Sequence, residues 1–370
     1  MKQGWEIKTL GEVSEELFAG GDVPKNNLSK IKTKVYNIPI YSNGERDKGL
    51  YGYTNYARVT KPSITVSARG TIGYSEIRVE AFYPAIRLIV VVPNTDIVDL
   101  SFLKYVIGSI VFKHSGTSIP QLTVPMIREY QFSVPPLTEQ QLIVSILDKA
   151  FAAIDKAKVN AEQNLKNAKE LFESYLQSVF ENKGNGWEEK RIGEVCHYDK
   201  TQNRNDNLPY VGLEDIESNT GKFIGTLKPK KVKSSTFIFT SEHILYGRLR
   251  PYLNKVLLPT FKGHCSTEIF PIKLKRNLDR SFLSHWLMKT DTVKKINATW
   301  TGARMPRANM NAVLEFNFLL PPLDEQQTIV QKLDALSAET KRLEAIYKKK
   351  IENLEELKKS ILQKAFSGEL

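Results

Sequence analysis

The chain has 370 residues and a formal net charge of +12. That length allows two or three domains with cores of their own, and the cationic surplus favours a polyanionic partner such as nucleic acid. The two cysteines, Cys196 and Cys265, exclude a disulfide framework and a paired-cysteine zinc site. Apolar runs are strand-sized, far short of the roughly eighteen residues that suggest a membrane span. Met1-Lys2-Gln3-Gly4-Trp5-Glu6 lacks the apolar core of a secretion signal. The expectation is a reducing, cytoplasmic location with no membrane contact.

The first element opens at Gly4-Trp5-Glu6-Ile7-Lys8-Thr9-Leu10-Gly11-Glu12-Val13. A stretch rich in Gly, Pro, Asn, Tyr and β-branched residues follows. Residues 63–68 and 85–92 predict strands, with Asn43-Gly44 and Arg69-Gly70 as turns. Residues 101–110 predict a short helix. Pro135-Pro136-Leu137-Thr138-Glu139-Gln140-Gln141 then opens a segment, 138–182, with neither Pro nor Gly. The whole series returns. Gly186-Trp187 leads to Gly193-Glu194-Val195, 268–274 predicts a strand after a turn at Lys262-Gly263, and 281–288 predicts a helix. Pro321-Pro322-Leu323-Asp324-Glu325-Gln326-Gln327 opens a second long segment, 324–366. The offset grows from about 182 to about 186 residues, a domain-sized period far longer than a solenoid repeat.

Each long segment predicts one helix. Pro-Pro cannot continue a helix backwards. Thr138 with Gln141, and Asp324 with Gln327, have the spacing of a capping box. Leu147, Phe151, Ile154, Ala161, Leu165, Ala168, Phe172, Tyr175 and Val179 form an apolar stripe in the first. Leu336, Leu343, Tyr347, Leu354, Leu357 and Ile361 form one in the second. A helix of about 42 residues spans about 63 Å at 1.5 Å per residue, so the stripe needs another helix for its full length, and the second copy is the available partner. Two bundle helices serving separate domains are the alternative. The expected fold class is α+β: two homologous mixed α/β domains, 1–136 and 183–322, joined by two long antiparallel coiled-coil helices, 137–182 and 323–370, with pseudo-two-fold symmetry.

The repeated Gly-Trp opening, the Pro-Pro-Leu-x-Glu-Gln-Gln helix start and the closing Leu362-Gln363-Lys364-Ala365-Phe366-Ser367-Gly368-Glu369-Leu370 resemble the specificity subunit of type I DNA restriction–modification systems. The resemblance covers the whole chain. Val66-Ser67-Ala68-Arg69-Gly70-Thr71-Ile72-Gly73 and Tyr246-Gly247-Arg248-Leu249-Arg250-Pro251-Tyr252-Leu253-Asn254-Lys255-Val256 also resemble segments of that family's recognition domains. It implies two target-recognition domains, each reading half of a split double-stranded DNA sequence, and helices that set spacing and dock two methyltransferase subunits. Those partners would use S-adenosylmethionine to methylate adenine. A restriction–translocation subunit would bring ATP and Mg chemistry. The chain itself would be non-catalytic and hold no cofactor. A coiled-coil tether spacing two protein-binding domains is the rival reading.

Phosphate affinity comes from Lys and Arg, and base choice from side chains such as Arg on guanine or Asn and Gln on adenine. In the first domain the candidates are Asn43, Arg46, Lys48, Tyr51, Arg58, Lys61, Arg69 and Thr71. In the second they are Lys228, Lys230, Lys231 and Lys233 of a basic run, with Arg248 and Arg250. Residues 115–121 align without a gap to 301–307, so one loop presents Ser118 and Gln121 in the first half, Arg304 and Arg307 in the second. Taken singly, an isolated surface Arg or Lys is more often a solvating charge than a base reader. No Gly-x4-Gly-Lys-Ser/Thr phosphate loop occurs. Val134 and Leu320 stand where an amino-methyltransferase needs a polar residue before Pro-Pro. The five histidines show no metal-ligand spacing.

Overall fold

The computed structural model describes residues 3–112, 121–182, 184–202, 207–230, 232–275, 277–302 and 305–370. The chain forms two compact units: residues 1–161 with 349–370, and residues 162–348. Each unit takes a globular part, a piece of the long helix that follows it and a piece of the other long helix.

In the first unit the elements are β1 (Glu6–Thr9), β2 (Ser14–Ala19), β3 (Ile38–Tyr41), β4 (Leu50–Thr54), β5 (Ser63–Val66), β6 (Ser75–Arg78), β7 (Tyr83–Pro84), β8 (Ile89–Pro93), α1 (Leu100–Ser109), α2 (Val124–Arg128) and β9 (Gln131–Val134), followed by α3 (Leu137–Glu181). They build an antiparallel pair β1-β9, an antiparallel four-stranded sheet β2-β8-β5-β6 and a three-stranded sheet β4-β3-β7. Every residue of β8 is buried, which explains its unbroken Ile-Val-Val-Val run. The predicted strand 85–92 is interrupted at its start. Ile86 and Arg87 are left-handed, with φ of 53° and 59°, and turn the chain between β7 and β8.

The second unit contains β10 (Glu188–Arg191), α4 (Ile192–Val195), β11 (Cys196–Tyr198), β12 (Tyr210–Val211), β13 (Thr236–Phe239), β14 (His243–Gly247), β15 (Val256–Leu257), β16 (Gly263–Ser266), β17 (Ile269–Leu274), α5 (Arg280–Met288), α6 (Thr290–Ala298), α7 (Met310–Leu314) and β18 (Asn317–Leu320), before α8 (Leu323–Ser367). Its sheets are β10-β18, β11-β17-β14-β15 and β12-β16-β13. The pair and the four-stranded sheet repeat the first unit's order, down to the register: Glu6 faces Val134, and Glu188 faces Leu320. The three-stranded sheet differs. In both units its first and third strands are parallel, but the middle strand pairs with the first in one unit and with the third in the other. Gly263, expected in a turn, lies inside β16. A Cβ there would stand 2.5 Å from the Phe239 ring and 2.7 Å from the Pro209 carbonyl, so that close approach needs glycine.

Both long helices begin on the residue after Pro-Pro, at Leu137 and Leu323. The capping-box expectation picks the wrong glutamine. Gln141 and Gln327 are exposed, whereas Gln140 and Gln326 are fully buried. Gln140 Nε2 donates to the carbonyls of Pro135 (2.7 Å) and Ile97 (2.9 Å), and its Oε1 accepts from Asp99 N–H (2.7 Å). Gln326 does the same with Pro321, Asn277 and Asp279. Asp99 and Asp279 then cap α1 and α5 through their side chains. The glutamine therefore fastens each long helix to the start of the short helix in its own domain.

In the first unit Ile143, Leu147, Phe151 and Ile154 of α3 share a core with Ala365, against which Leu354, Ile361, Leu362 and Phe366 pack. Phe366 meets Phe102 of α1 edge-on at 5.7 Å. The helices run antiparallel there: Lys158 pairs with Glu355 (2.7 Å) and Asp155 with Lys358 (3.0 Å). In the second unit Leu176 and Phe180 share a core with Leu333, Ile329 and Val330, and Phe180 lies 5.0 Å from Phe282 of α5. The repeated Leu-Gln-x-x-Phe motif thus closes each helix onto the other half's short helix. Leu357 departs from the expected stripe and is 47% exposed. Among the described residues no helix is long and apolar enough to cross a membrane.

Candidate nucleic-acid interface

In the first unit three loops meet at Asn43. Its Oδ1 accepts from Ala68 N–H (2.7 Å), its Nδ2 donates to the Ile86 carbonyl (2.6 Å), and Gly44 N–H donates to Ser67 Oγ (3.0 Å). Beside this knot lies an open cleft of about 830 Å³, to which Lys25, Arg69, Arg87 and Tyr51 contribute, with Asp22 as the opposing charge. Lys30 places its ammonium 3.8 Å from the Tyr51 ring centroid. Lys25, Lys30 and Arg87 are not among the sequence candidates. The chain runs back to the cleft from separate strands, and only the left-handed turn at 86–87 lifts Arg87 to the surface.

The remaining first-unit candidates are distributed. Arg69 donates from Nη2 (2.8 Å) and Nε (3.3 Å) to Gln121 Oε1, so these two are brought together. Arg58 is exposed and lies over the Phe18 ring at 4.9 Å. Thr71 is exposed in the loop after β5. Arg46 and Lys48 stand in an exposed turn in which Asp47 and Lys48 are both left-handed. Lys61 is tied to Glu15 at 2.6 Å, which raises its pKa. Ser118 lies outside the described residues, as do Lys231 and Arg304.

In the second unit the basic run and the arginines occupy different places. Lys228, Lys230 and Lys233 are exposed ahead of β13, and Lys230 Nζ lies 5.1 Å from the Tyr210 ring of β12. Arg248, Arg250 and Arg307 gather at the end of β14. Arg250 N–H donates to the Pro306 carbonyl (2.7 Å), and Ala308 N–H donates to the Arg248 carbonyl (2.9 Å). The same joint exists in the first unit, where Leu122 N–H donates to the Ala68 carbonyl at 2.9 Å. Aligned loops therefore occupy the same place in each fold, with Gln121 in one and Arg307 in the other.

Glu268, absent from the sequence candidates, holds this cluster. It accepts from Arg307 Nη2 (2.8 Å) and Nε (2.9 Å), and from Arg248 Nε (3.1 Å). Partial burial alone would raise its pKa, but the hydrogen bonds and charges of Arg307 and Arg248 hold the carboxyl below its ordinary range. Two cations on one carboxylate leave a net positive edge. Exposed Arg250, Tyr252 and Met305 lie on the same loops. Among the described residues no group of His, Cys, Asp and Glu is placed to hold a metal ion. Cys196 and Cys265 are buried in separate clusters, and burial pushes the Cys196 thiol up to about 12.

The family model for the type I restriction modification DNA specificity domain matches residues 2–166 and again 184–353. The chain belongs to this family. The two matches place a DNA specificity domain over most of each half of the chain. Among relatives, a type I specificity subunit from Mycoplasma pneumoniae is 36% identical over 171 residues, 46% of this chain and 50% of that one. The EcoDI specificity subunit of Escherichia coli is 28% identical over 293 residues, 69% of this chain and 66% of that one. The chain spans about half the length of the Mycoplasma relatives it matches first. In fold, this specificity-family chain is similar to one from a structure of a type I R-M system, with a TM-score of 0.78, 17% identity, and 100% and 99% of the two chains covered. It is also similar to the HsdS subunit from Thermoanaerobacter tengcongensis, with a TM-score of 0.63, 20% identity, and 100% and 98% covered.

Proposed function

We propose that this chain is the DNA-reading subunit of a type I restriction–modification complex, acting in the cytoplasm on a bipartite duplex target. Each unit reads one half of the target. Partner subunits carry the chemistry: two methyltransferase subunits with S-adenosylmethionine methylate adenine, and a restriction–translocation subunit with ATP and Mg cleaves unmethylated DNA. The observation that carries the reading is the twice-matched specificity domain, supported by the shared joint with exchanged side chains, Gln121 in one unit and Arg307 in the other. A common scaffold with different polar tips suits two different half-sites.

Adenine methylation mapped genome-wide in cells with and without this chain tests it. The expected result is one split sequence methylated only when the chain is present. Exchanging residues 183–322 for a divergent recognition domain should change one half of that sequence and leave the other intact. Simultaneous change of both halves would defeat independent reading, and methylation indifferent to the chain would defeat the assignment.

A further inference from the structure

Arg248 and Arg307 use Glu268 in different ways. Arg307 lies side-on, giving Nε and Nη2 to the carboxylate and turning Nη1 to the Met305 carbonyl at 3.4 Å. Arg248 commits Nε alone, at 3.1 Å. Its guanidinium carbon sits 5.1 Å from the Phe270 ring centroid, and its side chain is 31% exposed. Among the described residues, its two terminal amino groups have no hydrogen-bond partner. The plane is therefore held by a charged hydrogen bond and by an aromatic ring, while the outer end of the fork is open.

A fixed fork has a particular use. Two N–H donors from the end of a guanidinium match the O6 and N7 acceptors of guanine in the major groove. Holding Nε in place beforehand reduces the ordering cost of that contact. A phosphate can take the same fork in bidentate fashion, so comparing cognate, substituted and unrelated duplexes is what separates a base contact from a phosphate contact. We propose that Arg248 reads a guanine edge in the half-site of the second unit, and that Glu268 is the positioning residue that presents its fork. This rests on the DNA-reading assignment above. Among the described residues the first unit lacks the device: Ala68 stands at the place of Arg248 in the joint, and neighbouring Arg69 spends Nε and Nη2 on Gln121.

The test uses the chain assembled with its methyltransferase partners. The methylated sequence is read genome-wide, and binding is titrated against the cognate duplex, single-substituted duplexes and an unrelated duplex. The variants are Arg248→Ala, Arg248→Lys, Glu268→Ala and Glu268→Gln. Arg248→Lys keeps the charge without the fork. Both arginine variants should make one G:C position of the second half-site degenerate and leave the first half-site unchanged. Cognate binding should fall roughly 5- to 150-fold, with binding to unrelated DNA little altered. Glu268→Ala should relax the same position, and Glu268→Gln, which keeps an acceptor, should restore part of the preference.

Uniform loss on every duplex would make Arg248 a phosphate contact and overturn the proposal. So would an unchanged methylated sequence in Arg248→Ala with the fold intact by melting. Glu268→Ala that lowers the melting temperature and leaves base preference intact would make Glu268 a loop lock only. If the unaltered chain directs no methylation and binds no duplex, the DNA-reading assignment itself falls, a result separate from all of these.

Discussion

Gln140 and Gln326 are buried amides with partners on both sides, and a carbon side chain of similar size would leave each of those partners unpaired. An unpaired buried backbone group costs about 1–3 kcal/mol. Gln140→Leu should therefore destabilise the first unit by about 3 kcal/mol or more, and Gln326→Leu the second by a similar amount. Urea unfolding followed by hydrogen exchange at α1 and α5 checks both; loss below about 1 kcal/mol would mean the amide is dispensable. Glu268 gives a pH dependence. Its folded pKa lies below its ordinary value of 4.5, so its stabilisation is complete above that pH and disappears as pH falls through the lower folded value. The melting temperature of the unaltered chain should exceed that of Glu268→Gln at pH 7. The gap should begin to close only below about pH 4.5. A gap that vanished near neutrality would implicate another group.

The long helices obey simple element rules: a start after Pro-Pro, no internal glycine or proline, and apolar residues at helical spacing. Direction comes from the facing side chains. Lys158 with Glu355 and Asp155 with Lys358 set an antiparallel register within the first unit. Exposed ion pairs of this kind contribute under about 1 kcal/mol each, so the register is fixed mainly by Leu147, Phe151 and Ile154 against the helix that carries Ala365. Lys158→Cys with Glu355→Cys should join through a short bismaleimide in the monomer, shown by altered gel mobility. Efficient joining of Lys158→Cys to a cysteine at Lys332 instead would refute this register.

At the scale of the whole molecule the chain is interleaved. Residues 349–370 belong to the first unit although residues 162–348, which precede them, form the second. Removing 349–370 should therefore damage the first unit: Phe102 would lose Phe366, and α1 should lose protection in hydrogen exchange. Around α5, where Phe180 supplies the equivalent ring, protection should persist. Equal loss in both units, or loss confined to α5, would contradict the interleaving. The net charge of +12 belongs to this scale too. The cations beside the first-unit cleft and at the end of β14 come from segments distant in sequence, and each becomes a local concentration only through folding.

Much of this was legible from order alone. The repeat determines that two similar folds exist, and Glu6 facing Val134 and Glu188 facing Leu320 follow from it, because equal sequence gives equal pairing. Pro-Pro and the composition behind it determine where the long helices start, and aligned loops determine that Gln121 and Arg307 occupy one place. Tertiary structure decided the rest. A helical stripe fixes which face is apolar but not which neighbour covers it, so only packing sends Phe366 to Phe102 and Phe180 to Phe282. The buried Gln140 and exposed Gln141 are identical in type, and only their directions on the helix separate them. Strand order in the three-stranded sheets differs because the middle strand can pair on either side of its neighbours. Glu268 lies 20 residues from Arg248 and 39 from Arg307, separations with no local periodicity to announce a contact. Their meeting depends on strands that align their ends, which no spacing in the chain records.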